Sequence, residues 1–178
     1  MSVLAPGLSW IDLKFRGSPH VIATAVVSDP AGVALIDPGP ASCLETLELG
    51  LNAQGMRFSD VIDILLTHVH LDHAGATETL VRQYPRLKVF VHECGTPHLI
   101  DPTKLVESAT RLYGDQMEQL WGEVAAVPAS NIVTLGATGG RMDAAGRTWD
   151  QIPPHRVGAP FEVSWQGLAR YWRKKGSS

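Results

Sequence analysis

Cysteine is scarce in this sequence: Cys43 and Cys94 are the only two among 178 residues, and they form no Cys-x-x-Cys pair. Two thiols cannot build a disulfide framework, so the expectation is a pair of reduced thiols in a cytoplasmic protein. Basic charge is not in excess either. Lys and Arg number 15 against 18 Asp and Glu, a net charge of −3. That excludes a whole-surface attraction to nucleic acid, and no nucleic-acid partner is expected. No apolar run approaches the roughly 20 residues that span a bilayer, so no membrane partner is expected. The opening Met1-Ser-Val-Leu-Ala-Pro-Gly7 lacks a basic stretch followed by a long apolar one, so no secretory signal is expected. Internal repeats, low-complexity segments and linkers are also missing.

What is present suits one layered α/β domain. The hydrophobic fraction is 44% and the charged fraction 19%, enough for a sizeable core. Residues 8–15 alternate loosely and suit a strand. Residues 20–28 are rich in β-branched side chains and meet Asp29-Pro30-Ala31-Gly32, a turn cluster, before Val33-Ala-Leu-Ile-Asp37. This pattern predicts a hairpin whose second strand ends at Asp37-Pro38-Gly39-Pro40. Ser42-x-x-Glu45 has the form of a capping box, and Leu44, Leu47 and Leu51 follow at helical spacing, which predicts a helix over 43–54. Residues 61–66 are almost wholly apolar, the mark of a strand buried on both faces. A helix is predicted over 73–84, a strand over 87–91, helices over 102–122 broken at Gly114, and a strand over 131–135, with more strand in 140–152.

The chemistry lies at Thr67-His68-Val69-His70-Leu71-Asp72-His73. Imidazole and carboxylate are the usual nitrogen and oxygen ligands of zinc, iron and manganese. Four of them, His68, His70, Asp72 and His73, fall within six positions. Alternate residues of an extended segment face one side, so His68 and His70 can converge. Asp72 and His73 sit where the chain turns into a helix and can face a neighbouring position. The cluster follows a buried strand, at the edge where open α/β sheets hold their ligands. Asp37 ends a nearby strand. It either orients a ligand histidine or simply binds turn amides. His92 ends another strand on that edge, as a pocket residue or a polar strand end. His20 and His98 read as surface or packing residues. Met117, Leu120 and Trp121 read as helix packing rather than a substrate wall. Arg170, Arg173, Lys174 and Lys175 read as a solvated end.

The run Thr67 to Gly75 resembles the His-x-His-x-Asp-His signature of the metallo-β-lactamase superfamily of metal-dependent hydrolases, which includes glyoxalase-like enzymes. Leu35-Ile-Asp37-Pro-Gly39 and Val91-His92-Glu93 resemble that family's flanking strands. The resemblance implies an αβ/βα sandwich over residues 1–155 and a divergent basic tail over 156–178. It implies a first metal held by His68, His70 and a later histidine, and a second held by Asp72 and His73. It also implies a water between the metals as nucleophile, oriented by Asp72. Zinc is the implied metal, with iron or manganese as options. The substrate would be a small ester, thioester or lactam, with an iron-dependent redox member or a metal binder without turnover as alternatives. The missing signal weighs against a secreted antibiotic-degrading enzyme.

His155, in Pro153-Pro154-His155, stands about where the third histidine belongs, although Pro replaces the family's Gly. Beyond it the family pattern expects a bridging aspartate and a final histidine. Glu162 is the only acid after it, and no histidine follows. Only the N-terminal half of the sandwich is therefore expected to be complete. Its second metal site should be weak, and its inner sheet face uncovered and open to self-association.

Overall fold

The computed structural model describes residues 2–136, 140–151 and 172–174. Seven strands lie side by side in chain order: β1 (Ser2–Ala5), β2 (Leu8–Asp12), β3 (Ala23–Asp29), β4 (Gly32–Ile36), β5 (Val61–Leu65), β6 (Lys88–His92) and β7 (Ile132–Leu135). The first four pair antiparallel, and pairing is parallel from β4 to β7. Parallel neighbours need crossovers. These are α1 (Leu44–Ala53), then α2 (Leu71–Ala74) with α3 (Thr77–Gln83), then α4 (Thr96–Ile100), α5 (Thr103–Tyr113) and α6 (Met117–Trp121). All three crossovers step the same way along the sheet. Right-handed connection therefore sends their helices to one face. Leu47 and Leu51 of α1 and Leu80 and Val81 of α3 are buried there with Val26, Leu35, Ile64 and Val89.

Several sequence expectations are corrected. β1 has no counterpart among them, because its partner-dependent pairing leaves little mark in four residues. The strand expected over 8–15 stops at Asp12, whose carboxylate accepts the backbone N–H of Lys14 (3.0 Å) and of His20 (2.9 Å). The Ser42–Glu45 capping box does not form. The Ser42 hydroxyl donates instead to the Leu120 carbonyl at 2.6 Å, satisfying an end of α6 that would otherwise lack a partner. The helix expected over 73–84 is two, α2 and α3, parted at Gly75 and Ala76.

The other sheet face carries Ala25, Val27, Ala34, Ile36, Leu65 and Phe90. They are buried with Ala144, Ala145 and Trp149 of a hairpin made by β8 (Gly140–Ala144) and β9 (Arg147–Gln151). The uncovered inner face expected from the sequence is thus a correction: at its centre the chain covers itself. β10 (Trp172–Lys174), in the expected tail, pairs with β9, and His155 lies outside the described residues.

The hairpin tip is tied to the sheet end away from the histidines. Ala145 donates its N–H to Asp63 Oδ2 at 2.6 Å, and Arg147 donates to the Ser28 carbonyl at 2.9 Å. Burial pushes the Asp63 carboxyl up from its ordinary range, partly offset by the Ala145 N–H. A raised carboxyl disfavours folding once ionised, so this contribution worsens as pH rises through its titration. Asp63→Asn keeps an acceptor without charge and is expected to match or exceed the native stability at pH 7. Asp63→Ala strands a buried N–H and is expected to cost about 1–3 kcal/mol. Thermal melts of the two variants separate these outcomes.

Candidate metal centre

β4 and β5 end side by side, and the centre is built on their carboxyl ends. The Asp37 N–H bonds the Leu65 carbonyl (3.0 Å), continuing the ladder one step past β4. The Asp37 backbone then turns into the left-handed region, with φ of 52°, which non-glycine residues rarely adopt. Such strain persists only where surroundings over-determine it. Here they do. The Thr24 hydroxyl donates to the Asp37 carbonyl at 3.0 Å, and the buried Asp37 carboxylate receives three hydrogen bonds. Thr67 N–H donates to Oδ1 at 2.8 Å, the Thr67 hydroxyl to Oδ2 at 2.6 Å, and His73 Nδ1 to Oδ2 at 2.9 Å. The Asp37 carboxylate thus binds an amide of the neighbouring strand, not one of its own turn, and also fixes a histidine of the cluster.

The same bonds set the histidine tautomers. The Thr67 hydroxyl gives its single proton to Asp37, so it can only accept from His68 Nδ1, 3.0 Å away. That places the proton of His68 on Nδ1 and its lone pair on Nε2. Asp37 likewise holds the His73 proton on Nδ1, leaving Nε2 to face a metal. The His73 Nε2 lies 3.3 Å from Asp72 Oδ2.

His68, Asp72 and His73 each bring a ligand atom within 4.8 Å of the others. His70 sits beside them, its ring 4.7 Å from that of His68 and edge-on to it. It precedes α2, and its carbonyl accepts the N–H of His73 (3.0 Å) and Ala74 (2.8 Å). The short helix thereby turns Asp72 and His73 back toward His68. Gly75 permits this fold-back, because a Cβ there would stand 3.2 Å from Pro40 Cα. The Pro38–Pro40 loop is stitched on by Gly39 N–H to the His73 carbonyl (3.0 Å) and Ala76 N–H to the Gly39 carbonyl (2.8 Å).

Electrostatics fit a cation. Burial, then the neighbouring charge of His73, push His68 from its ordinary 6.5 down to about 4, so it is neutral at pH 7. Burial works against a charged His73 ring, but hydrogen bonds to Asp37 and Asp72 and their charges outweigh it and hold the ring up at about 10. Asp72 is held below its ordinary range: burial opposes this, but the hydrogen bond and charge of His73 win. The donors are imidazole nitrogen and carboxylate oxygen, with no sulfur among them, which suits zinc, iron or manganese. Ligation must expel the second proton of His73. Apparent metal affinity is therefore expected to climb by about tenfold per pH unit between about pH 7 and 9, where that proton is otherwise retained. Competition titrations with a chelating dye across that range check the slope.

Two residues of the centre escape the sequence reading. Thr67 opens the metal-binding run without a role of its own, and Thr24 reads only as one β-branched residue of a strand. Both act through hydrogen bonds across the sheet, which no local pattern displays. His92 is buried; its Nδ1 accepts the Cys94 N–H at 3.2 Å, and its Nε2 has no partner among the described residues. Beside His70 and Asp72 opens a cleft of about 360 Å³, walled by α5 and by Trp121. Trp121 thus packs the helices, as expected, and also faces the cleft.

The model of the metallo-beta-lactamase superfamily matches residues 18–144. The chain belongs to that superfamily. The FEZ-1 metallo-beta-lactamase from Legionella gormanii has a similar fold, with a TM-score of 0.64 and 19% identity over 85% of this chain and 51% of that one. A metallo-beta-lactamase family protein from Thermus thermophilus gives 0.63 and 26% over 84% and 52%. A metallo-beta-lactamase from Cronobacter sakazakii gives 0.59 and 18% over 84% and 52%. The chain spans about half the length of the solved chains it matches, as a partial sandwich requires. No curated protein matches its sequence. Among the described residues, no helix is long and apolar enough to cross a membrane.

Proposed function

We propose that this chain carries the metal-binding half of a metal-dependent hydrolase acting on a small ester, thioester or lactam. The observation that carries this reading is the bonded set Asp37–Thr67–His68–His73, which fixes two imidazoles in ligand tautomers beside Asp72. His68, His70, Asp72 and His73 are the ligands we assign, with His155 as a further one. His155 rests on its sequence context alone, Pro153-Pro154-His155, about where the resemblance calls for a third histidine. Zinc is the metal we assign. When bound, it supplies Lewis acidity and brings the pKa of water from about 15.7 to about 7.

The chain's own residues do the rest. Asp72, ionised and with its side chain 42% exposed, can accept a hydrogen bond from water and aim its oxygen at a carbonyl carbon. As that C–O bond forms, one water proton passes to Asp72. The proton then moves to the leaving oxygen, sulfur or nitrogen as its bond to the carbonyl carbon breaks. Asp37 keeps the His73 ring from turning throughout. The free thiols fit a reducing cytoplasm as the place of work.

A second reading is metal binding without turnover by this chain. Chromogenic ester, thioester and lactam substrates decide between the two. The hydrolase reading expects turnover by the zinc-loaded chain that is lost on chelation and in His70→Ala. Bound zinc with no turnover of any of the three would establish the second reading.

A further inference from the structure

We propose that the cleft beside His70 and Asp72 seats an uncharged alkyl or aryl arm of the substrate. This names the substrate class and rests on the hydrolase reading above. The cleft opens directly onto two residues assigned as ligands, so a group that fills it lies next to the reacting atoms. Among the described residues its remaining wall is largely apolar: Leu71, then Leu105, Ala109 and Leu112 of α5, the Tyr113 ring and Trp121, with Ser108 a small polar group among them. Lys104, Glu107 and Arg111 of α5 are exposed and do not line it. Among the described residues, a carboxylate or phosphate placed against this wall would lose water without gaining a cationic partner, which is costly.

The wall is built in advance. Trp121 stacks on Phe15 at 5.4 Å and meets Tyr113 edge-on at 5.2 Å. It also packs with Leu71, Ala109 and Leu120 in a cluster of its own, apart from the main core. Leu112 is 77% exposed, although it lies on the apolar face of its helix. An apolar face left open at the mouth of a preformed cleft is suited to an apolar ligand rather than to packing. The volume falls at the small end of the roughly 300–1,000 Å³ typical of small-molecule sites. That size fits a short chain or a single ring.

Unreactive amides test the cleft by binding alone. Dissociation constants are measured by NMR titration for N-methylhexanamide, N-methyloctanamide and the octanamide analogue ending in a carboxylate, with metal content determined on the same samples. Two added methylenes are expected to tighten binding by roughly tenfold. The terminal carboxylate is expected to weaken it by about tenfold or more. Leu112→Glu and Ser108→Trp, both at exposed positions, are expected to weaken the octanamide by at least about fivefold with metal content unchanged. Equal affinity for the two chain lengths, equal affinity for the carboxylate analogue, or no effect of either variant would overturn the proposal. The hydrolase reading fails separately, if the wild-type chain takes up no metal.

Discussion

Asp37→Asn is expected to weaken metal binding by roughly 10- to 100-fold while the sheet remains folded. The reason is a count of donors. Thr67 N–H, the Thr67 hydroxyl and His73 Nδ1–H all point at this one carboxylate. An amide offers one oxygen and one NH2, and no rotation satisfies all three. With the oxygen toward Thr67 N–H, the NH2 meets the hydroxyl and the ring. The ring must then present a lone pair at Nδ1 and carry its proton on Nε2, the nitrogen that faces the metal. With the amide reversed, the buried Thr67 N–H loses its acceptor, at a cost of about 1–3 kcal/mol. Either arrangement harms the centre through a residue that binds no metal. Zinc competition titrations and thermal melts on the same variant read the two effects apart, and Thr67→Ser, which keeps the hydroxyl, serves as a near-native control. Unchanged zinc affinity in Asp37→Asn would mean that Asp37 does not set the His73 tautomer.

Saturation with zinc is expected to raise the melting temperature by roughly 8–16 °C. A ligand that binds only the folded state at about a thousand times its Kd adds about 4 kcal/mol. For a chain of this size each kcal/mol moves Tm by about 2–4 °C. The ligands come from one short segment, but Asp37, Thr67 and Thr24 hold it across neighbouring strands, so the folded state alone presents the site. The shift should vanish with a chelator and in His68→Ala. A melt insensitive to zinc would place any binding in segments that do not depend on the fold.

Much of this centre is legible in the sequence because its donors are crowded into one stretch of chain. The apolar run before Thr67 announces a buried strand, and four ligand types in six positions announce a metal. Asp37 is legible as a candidate but not as a choice, since a turn aspartate and an orienting one look alike in Asp-Pro-Gly. Only the tertiary partners Thr67 and His73 decide between them. Ser42 shows the converse. It satisfies the local rule for a capping box, yet the carbonyl at the end of α6, far away in sequence, takes its hydroxyl. The hairpin of β8 and β9 is foreseeable loosely as strand, but its docking on the inner face is not. That depends on Asp63, which sits inside an apolar run, and on Asp29, which reads only as a turn residue; the fold brings Ala145 and Arg147 to them. The cleft reads as helix packing for a similar reason: an apolar helix face looks the same whether a neighbour or a substrate covers it.

X-ray absorption at the zinc edge of the loaded chain tests the centre most directly. Ligation by His68, His70, Asp72 and His73 requires a nitrogen and oxygen shell at about 2.0–2.2 Å with the outer scattering of at least two imidazoles, altered in His68→Ala. A sulfur shell at about 2.3 Å, pointing to Cys43 or Cys94, or a spectrum without imidazole, would contradict it.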